Sequence, residues 1–310
     1  MIQFNSLTDF LGAIHQALGY SPKTLEPGKF HRFGPHKSGW AKLFDDYVGG
    51  VFGCFRQGIS SHWTAKMPAS PAVRFDLQQL VQQAQQERLV EQRSQWAKNA
   101  LRNAELWACS QRVQSGDPVD RYLVARELGD WAIPSCIRLH PGLAYWECDD
   151  EGEFHHLGSY PTMLAKLVGR DGQLLAIHRT YLGDGCKADV PTPKKLTPAA
   201  GLLTGACIPL AAHRGGVLGI AEGIETAAAA SLGSGLPVVA AYCANALSGF
   251  YWPRGIERVV IFADNDSTGQ QAAAVLAQRA IKAGLTTKTL TPSKPDSDWA
   301  DVYQGGKSHE

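Results

Sequence analysis

Two stretches near the C-terminus decide how this chain reads: Val217-Leu218-Gly219-Ile220-Ala221-Glu222-Gly223, and Arg258-Val259-Val260-Ile261-Phe262-Ala263-Asp264-Asn265-Asp266-Ser267-Thr268-Gly269. Each is a short apolar run that ends in acid and then glycine. Runs this short and this apolar predict strands buried on both faces, as strands of a parallel sheet are. Ala-rich helical stretches (Thr226 to Leu232, Gly269 to Ala283) and two further strand-like runs (Pro237 to Ala241, Thr286 to Leu290) alternate with them. The alternation predicts βαβ units, and so a parallel-sheet, Rossmann-like α/β domain over residues 213–310.

In such a sheet, ligands bind outside the carboxyl ends of the strands, where strand order reverses. Glu222 ends the first run; Asp264 and Asp266 end the third. The two-residue period of extended chain puts Asp264 and Asp266 on one side and Asn265 on the other. Like charges about 4 Å apart repel by roughly 4 kcal/mol at an effective dielectric near 20. Carboxylates gathered in one crevice therefore call for protonation or a shared cation. Mg²⁺ or Mn²⁺ suits, because it takes oxygen ligands, needs one or two carboxylates, and completes its shell with water and phosphate. The plainer reading is a loop and helix cap, where Asp and Asn are favoured. The coincidence of Asp264-Asn265-Asp266 with Glu222 and the strand pattern favours the metal site.

Working outward, residues 118–212 read as an α+β subdomain. A helical piece from Tyr122 to Leu128 precedes strand-like segments at Tyr160 to Val168, Leu174 to Leu182 and Gly201 to Leu210. Residues 68–117 read as a helical segment after a turn at Pro68 to Pro71. No Gly or Pro interrupts Phe75 to Ser115, and apolar residues there, from Phe75, Leu77, Leu80, Val81 and Ala84 onward, fall at steps of three and four. Residues 1–67, rich in Gly and aromatics, read as a small β-rich N-terminal module.

The formal net charge is +1, so nucleic acid would have to be met by local patches. Arg179, Lys187, Lys194 and Lys195 cluster just before the last domain, with His178 and Tyr181 flanking Arg179. A strand there would offer cations to phosphate and rings to unpaired bases; against this stands a solvated strand edge protected by lysines. Lys29, His31, Arg32, Lys37 and Arg56 form a second patch. The seven cysteines are scattered and never spaced C-x-x-C, which predicts reduced thiols and no zinc. The N-terminus lacks a signal-peptide pattern, and no window approaches the roughly 20 apolar residues that span a bilayer. A cytoplasmic protein without a membrane partner is expected.

Ala221-Glu222-Gly223-Ile224-Glu225-Thr226-Ala227, followed by Phe262 through Gly269, resembles the Toprim domain of bacterial primases, topoisomerases and some nucleases. That pattern is a Glu after the first strand, then D-x-D with a Gly three residues on. Asp298-Trp299-Ala300-Asp301 resembles the D-W-x-D near the end of phage and plasmid primase versions. His178-Arg179-Thr180-Tyr181-Leu182, after Asp171-Gly172 and before Lys194-Lys195, resembles the segment preceding Toprim in mobile-element primases. Gly28 to Phe33 and Gly50 to Gly53 resemble their N-terminal module.

The resemblance implies a DNA primase for plasmid, phage or other mobile-element replication, joining ribonucleoside triphosphates into short RNA primers on a single-stranded DNA template. Glu222, Asp264 and Asp266 would carry metal-dependent nucleotidyl transfer, with Asp298 as a further ligand. Neither a zinc ribbon nor a helicase P-loop is visible, so template is read by another surface or beside a replicative helicase or initiator protein. A Toprim metal-dependent nuclease and a non-catalytic single-stranded-DNA-binding replication accessory are the alternatives. A topoisomerase is disfavoured, since Tyr181, Tyr242 and Tyr251 have no context as nucleophiles.

Overall fold

In the computed structural model, which describes residues 2–65, 71–149 and 153–307, the chain divides into two units, residues 1–94 and 95–310. The first opens with a helix, α1 (Ile2–Leu18), which the sequence reading of a β-rich module did not single out. Four strands follow: β1 (His31–Phe33), β2 (Gly39–Leu43), β3 (Gly49–Cys54) and β4 (Ile59–Thr64), an antiparallel meander in chain order. The helix has a simple role. A four-stranded sheet needs a cover for its apolar face, and Phe10, Ile14 and Leu18, four apart on α1, supply it over Phe33, Ala41, Leu43 and Phe52. Gly50 permits the approach, because a Cβ there would lie 2.8 Å from the Phe10 ring.

The opposite face carries Trp40, Phe44 and Val51. Helix α2 (Pro71–Ala108) reaches it with Arg88, whose guanidinium sits 4.7 Å above the Trp40 ring, and with Glu87, 2.7 Å from Lys42. The turn expected at residues 68–70 lies outside the described residues. So do the side chains of Phe75, Leu77, Leu80, Val81 and Ala84. Of the second basic patch, Lys29 pairs with Glu26, His31 bonds the Glu26 backbone, and Arg32 stacks over Phe55 at 4.6 Å.

The second unit takes in the end of α2, where Asn99 donates to the Ala199 carbonyl and Asn103 to that of Pro198. A five-stranded antiparallel sheet follows in the order β5-β6-β7-β8-β9. Its strands are β5 (Gln111–Arg112), β6 (Ile137–Cys148), β7 (Phe154–Val168), β8 (Leu174–Tyr181) and β9 (Lys194–Leu196). Helix α3 (Pro118–Ala125) packs on β6 and β7, its N-terminus capped by Asp117, which accepts from the Val119 and Asp120 amides.

Residues 201–210 do not form the strand their alternation suggested. Only Cys207 and Ile208 pair, and they pair with different sheets. Cys207 exchanges two backbone hydrogen bonds with Val168 of β7, and Ile208 exchanges two with Ala240 of the parallel sheet.

That parallel sheet consists of β10 (Val217–Ala221), β11 (Val238–Ala240), β12 (Arg258–Phe262) and β13 (Thr286–Leu290), in the order β11-β10-β12-β13. The chain leaves β10 for β11 on one side, then crosses to β12 on the other, so order reverses between β10 and β12. Helices α4 (Ile224–Ser234) and α7 (Trp299–Lys307) pack together, as do α5 (Ala244–Gly249) and α6 (Ser267–Lys282). Ala227 to Ala230 are all buried, and their small side chains let α4 enter a core that also holds Tyr122, Leu139 and Met163 of the antiparallel region. Among the described residues, no helix is long and apolar enough to cross a membrane.

Candidate active site

The pairing of Ala221 with Phe262 ends β10 and β12 at the same level. Glu222 and Asp264 therefore leave the sheet side by side, at the point where strand order reverses. A cavity of about 190 Å³ opens there. Glu222, Asp264 and Asp298 line it from the parallel domain, and Arg126, His178, Lys187 and Lys194 from the antiparallel subdomain.

Burial pushes the Asp264 carboxyl up to about 7, and the charges of Glu222, Asp298 and Asp266 add to that effect against Lys194. Its Oδ1 is buried without a hydrogen-bond partner. Glu222 is raised too, first by burial and then by Asp266, with the Ala244 amide at the start of α5 and Lys194 opposing. Asp266 is exposed and sits outside the cavity lining. Its Oδ1 accepts from the Gly269 amide at 2.7 Å, capping α6. Asp298 caps α7 with Oδ1, which accepts from Ala300 and Asp301, and its Oδ2 lies 3.4 Å from the Thr226 hydroxyl. Asn265 turns into the neighbouring loop, donating to the Pro292 and Lys294 carbonyls. Gly269 has a local reason: a Cβ there would stand 2.9 Å from the Asp264 carbonyl oxygen.

The basic residues obey strand alternation. On β8 and β9, Thr180 pairs with Lys194 and Arg179 with Lys195. His178 and Lys194 consequently reach the cavity, while Arg179, Tyr181 and Lys195 take the other face. Tyr181 is 1% exposed, its ring edge-on to Tyr145 at 4.9 Å and its hydroxyl donating to the Ala144 carbonyl. The ring expected to stack on an unpaired base is core, because its strand face is covered by Tyr145 and Tyr160. Arg179 donates to the Leu196 carbonyl, and Lys195 to Glu147 and the Trp146 carbonyl. His178 is buried, which pushes it down to about 4, so it is neutral at pH 7; its Nδ1 has no partner. Lys187 is lowered by burial and then by Lys194.

Two charged residues of the cavity, Arg126 and Glu225, and the Tyr122 that supports Glu225 escaped sequence reasoning. Arg126 ends α3, and its Nε is buried without a partner. Glu225, one turn after Glu222, accepts from the Tyr122 hydroxyl at 2.7 Å and from Lys194 at 3.0 Å. Burial pushes Glu225 up, but Lys194 and Tyr122 outweigh it and hold the carboxyl at about 2. The E-x-x-E spacing at residues 222–225 was the only local signal for Glu225; Tyr122 and Arg126 had none.

The donor set fits a hard divalent cation. It offers carboxylate oxygens only, one of them buried and unpartnered. Among the described residues, no group of three or more His, Cys, Asp or Glu stands ready to hold an ion by itself.

Comparison with known proteins assigns residues 217–308 to the Toprim domain family. Residues 97–207 match a domain of unknown function (DUF7146). No curated protein matches the chain. Among solved structures, similarity extends to a DNA primase domain from Pseudomonas aeruginosa (15% identity, 53% of this chain and 52% of that one, TM-score 0.36). It extends also to the primase fragment of bacteriophage T7 primase-helicase protein (16%, 54% and 63%, TM-score 0.35). A third is the RNA polymerase domain of Mycobacterium tuberculosis primase DnaG (14%, 67% and 79%, TM-score 0.40). The chain spans less than two thirds of the first two. The C-terminal domain, with its parallel four-stranded sheet, is a Toprim domain.

Proposed function

We propose that the chain is a Toprim DNA primase that makes short RNA primers on single-stranded DNA, in the cytoplasm, for the replication of a plasmid, phage or other mobile element. The observation that carries this reading is the cavity itself. Glu222, Asp264 and Asp298 face Arg126, Lys187 and Lys194 across a space of about 190 Å³. Opposed acids and cations at a sheet's switch point suit a metal-bound nucleoside triphosphate. The motif resemblance and the Toprim match support the same class.

Glu222 and Asp264 would hold Mg²⁺ or Mn²⁺, with Asp298 and Asp266 completing the acidic surround. When bound there, the ion supplies Lewis-acid activation of a 3′-hydroxyl and neutralises phosphate charge. The cations Lys187, Lys194 and Arg126 orient the triphosphate and stabilise charge on the departing pyrophosphate. Neutral His178 places an uncharged hydrogen-bonding group among them. Glu222 suits either role at this rim, ligation of the ion or, without it, acceptance of the hydroxyl proton. Template would be read by another surface, or beside a replicative helicase or initiator protein.

The test is an incubation of the full chain with single-stranded templates, labelled ribonucleoside triphosphates and Mg²⁺ or Mn²⁺. Short labelled oligoribonucleotides are expected, and should vanish with chelator. Template degradation in place of primer growth would establish the nuclease reading. Neither product, together with biological activity that survives Glu222→Gln and Asp264→Asn, would establish a binding accessory.

A further inference from the structure

Lys187, Lys194 and Arg126 crowd one small cavity. Three cations so placed repel one another unless a counter-charge binds them. Glu222, Asp264 and Asp298 do not bond the lysines; among the described residues, the carboxylate that does is Glu225, 3.0 Å from the Lys194 ammonium. It is 4% exposed, and both its oxygens are occupied, Oε1 by the Tyr122 hydroxyl and Oε2 by Lys194. Each oxygen thus already has a partner from the protein, unlike the free Oδ1 of Asp264. The three partners come from α3, β9 and α4, so the contact joins the antiparallel subdomain to the Toprim domain beside the acidic rim.

We propose that Glu225 is a positioning residue for nucleotide: it is the buried counter-charge that keeps Lys194, with Lys187 beside it, aimed at the carboxylates Glu222 and Asp264, and it acts through Lys194 rather than by contact. This rests on the nucleotide-binding part of the function proposed above. Tyr122 belongs to the same device. A buried carboxylate with one partner removed is strongly unfavourable, and the Tyr122 hydroxyl satisfies the oxygen that Lys194 does not reach. A merely structural ion pair would look the same in a static structure, but its loss would lower stability and leave nucleotide affinity alone.

The experiment uses the full chain and a fluorescent ribonucleoside triphosphate, with affinity read by anisotropy without turnover and KM and kcat read from primer synthesis. Glu225→Gln should weaken binding and raise KM about tenfold, the scale of one charge-assisted hydrogen bond, with the larger effect on KM than on kcat. Glu225→Asp should recover part of the loss. The double variant Glu225→Gln with Lys194→Gln should bind no worse than Lys194→Gln alone, because both act through one ammonium. Affinity in Glu225→Gln equal to the starting protein, or losses that multiply in the double variant, would overturn the proposal. Should Glu225→Gln fail to fold by circular dichroism, Tyr122→Phe carries the test: a loss of about two- to threefold supports the proposal, and unchanged affinity sinks it. Nucleotide binding that obeys these rules in a protein making no primer would remove the primase reading and leave Glu225 in its role. Primer synthesis with an unaltered KM in Glu225→Gln would do the reverse.

Discussion

The parallel and antiparallel sheets of the second unit both furnish the cavity, by different geometric rules. In the parallel sheet the acids stand beyond strand ends, and two neighbouring strands that stop at one level bring Glu222 and Asp264 together whatever their faces. In the antiparallel sheet Lys194 and Lys195 lie within one strand, where neighbours in sequence point to opposite sides. Lys194 enters the cavity while Lys195 bonds Glu147 on the far face. Clustering at strand ends therefore survives folding, and clustering along a strand is halved by it.

The sharpest way to break this comparison is at Asp264. Asp264→Asn should cut primer synthesis about a thousandfold, the scale of losing a central electrostatic group in a transferase site. The same change should raise stability in chelator. The folded carboxyl titrates near 7 against an ordinary 3.8, so its ionised form is disfavoured in the fold. That penalty is absent below about pH 4, grows through the interval, and is complete above pH 7. In differential scanning fluorimetry the variant should gain about 1–2 kcal/mol over the starting protein at pH 8 and nothing at pH 4. Mg²⁺ should stabilise the starting protein at pH 8 and do less for the variant.

Next comes the split between adjacent lysines. Lys194→Gln should raise the KM for nucleotide about tenfold, and Lys195→Gln should change it less than about twofold, since the two stand on opposite faces. Equal effects in steady-state assays would refute the alternation argument. Gly269→Ala should have a smaller effect, costing about 1–2 kcal/mol in chemical denaturation, because the new methyl presses on the Asp264 carbonyl. Primer yield should fall with it as Asp264 is displaced. The smallest effect is expected at Tyr181→Phe. It deletes the hydrogen bond to the Ala144 carbonyl and should lower stability by about 1 kcal/mol. Affinity for single-stranded DNA, read by anisotropy, should not move if the ring is core.

The two central parallel strands, β10 and β12, were legible because each is a short apolar run closed by acid, β11 and β13 followed from their alternation with helices, and the switch point followed from where the acids fell. Asp266 shows the limit of that legibility. Its two-residue spacing from Asp264 suggested a shared side, but α6 begins at Ser267 and uses Asp266 as its cap. Cap and ligand call for the same side chain at the same place. Helix α1 was hidden by the aromatics after it: Phe10, Ile14 and Leu18 mark a helical face, yet the Gly-rich region from Gly28 onward set the tone for the whole module. Residues 201–210 alternated like a strand but pair at two positions only, each with a different partner. Glu225, Tyr122 and Arg126 lay beyond reach, because their grouping depends on contacts between α3, β9 and α4 that no local window contains.

The two-residue link at Cys207 and Ile208 has a mechanical consequence. Four backbone hydrogen bonds run from this one dipeptide, half to Val168 and half to Ala240, and so rivet one wall of the cavity to the other. Swinging the walls apart like jaws would break one pair or the other, the two bonds to Val168 or the two to Ala240. The dipeptide thus resists widening of the cavity at the base of its walls, by a backbone tie that no side-chain substitution removes.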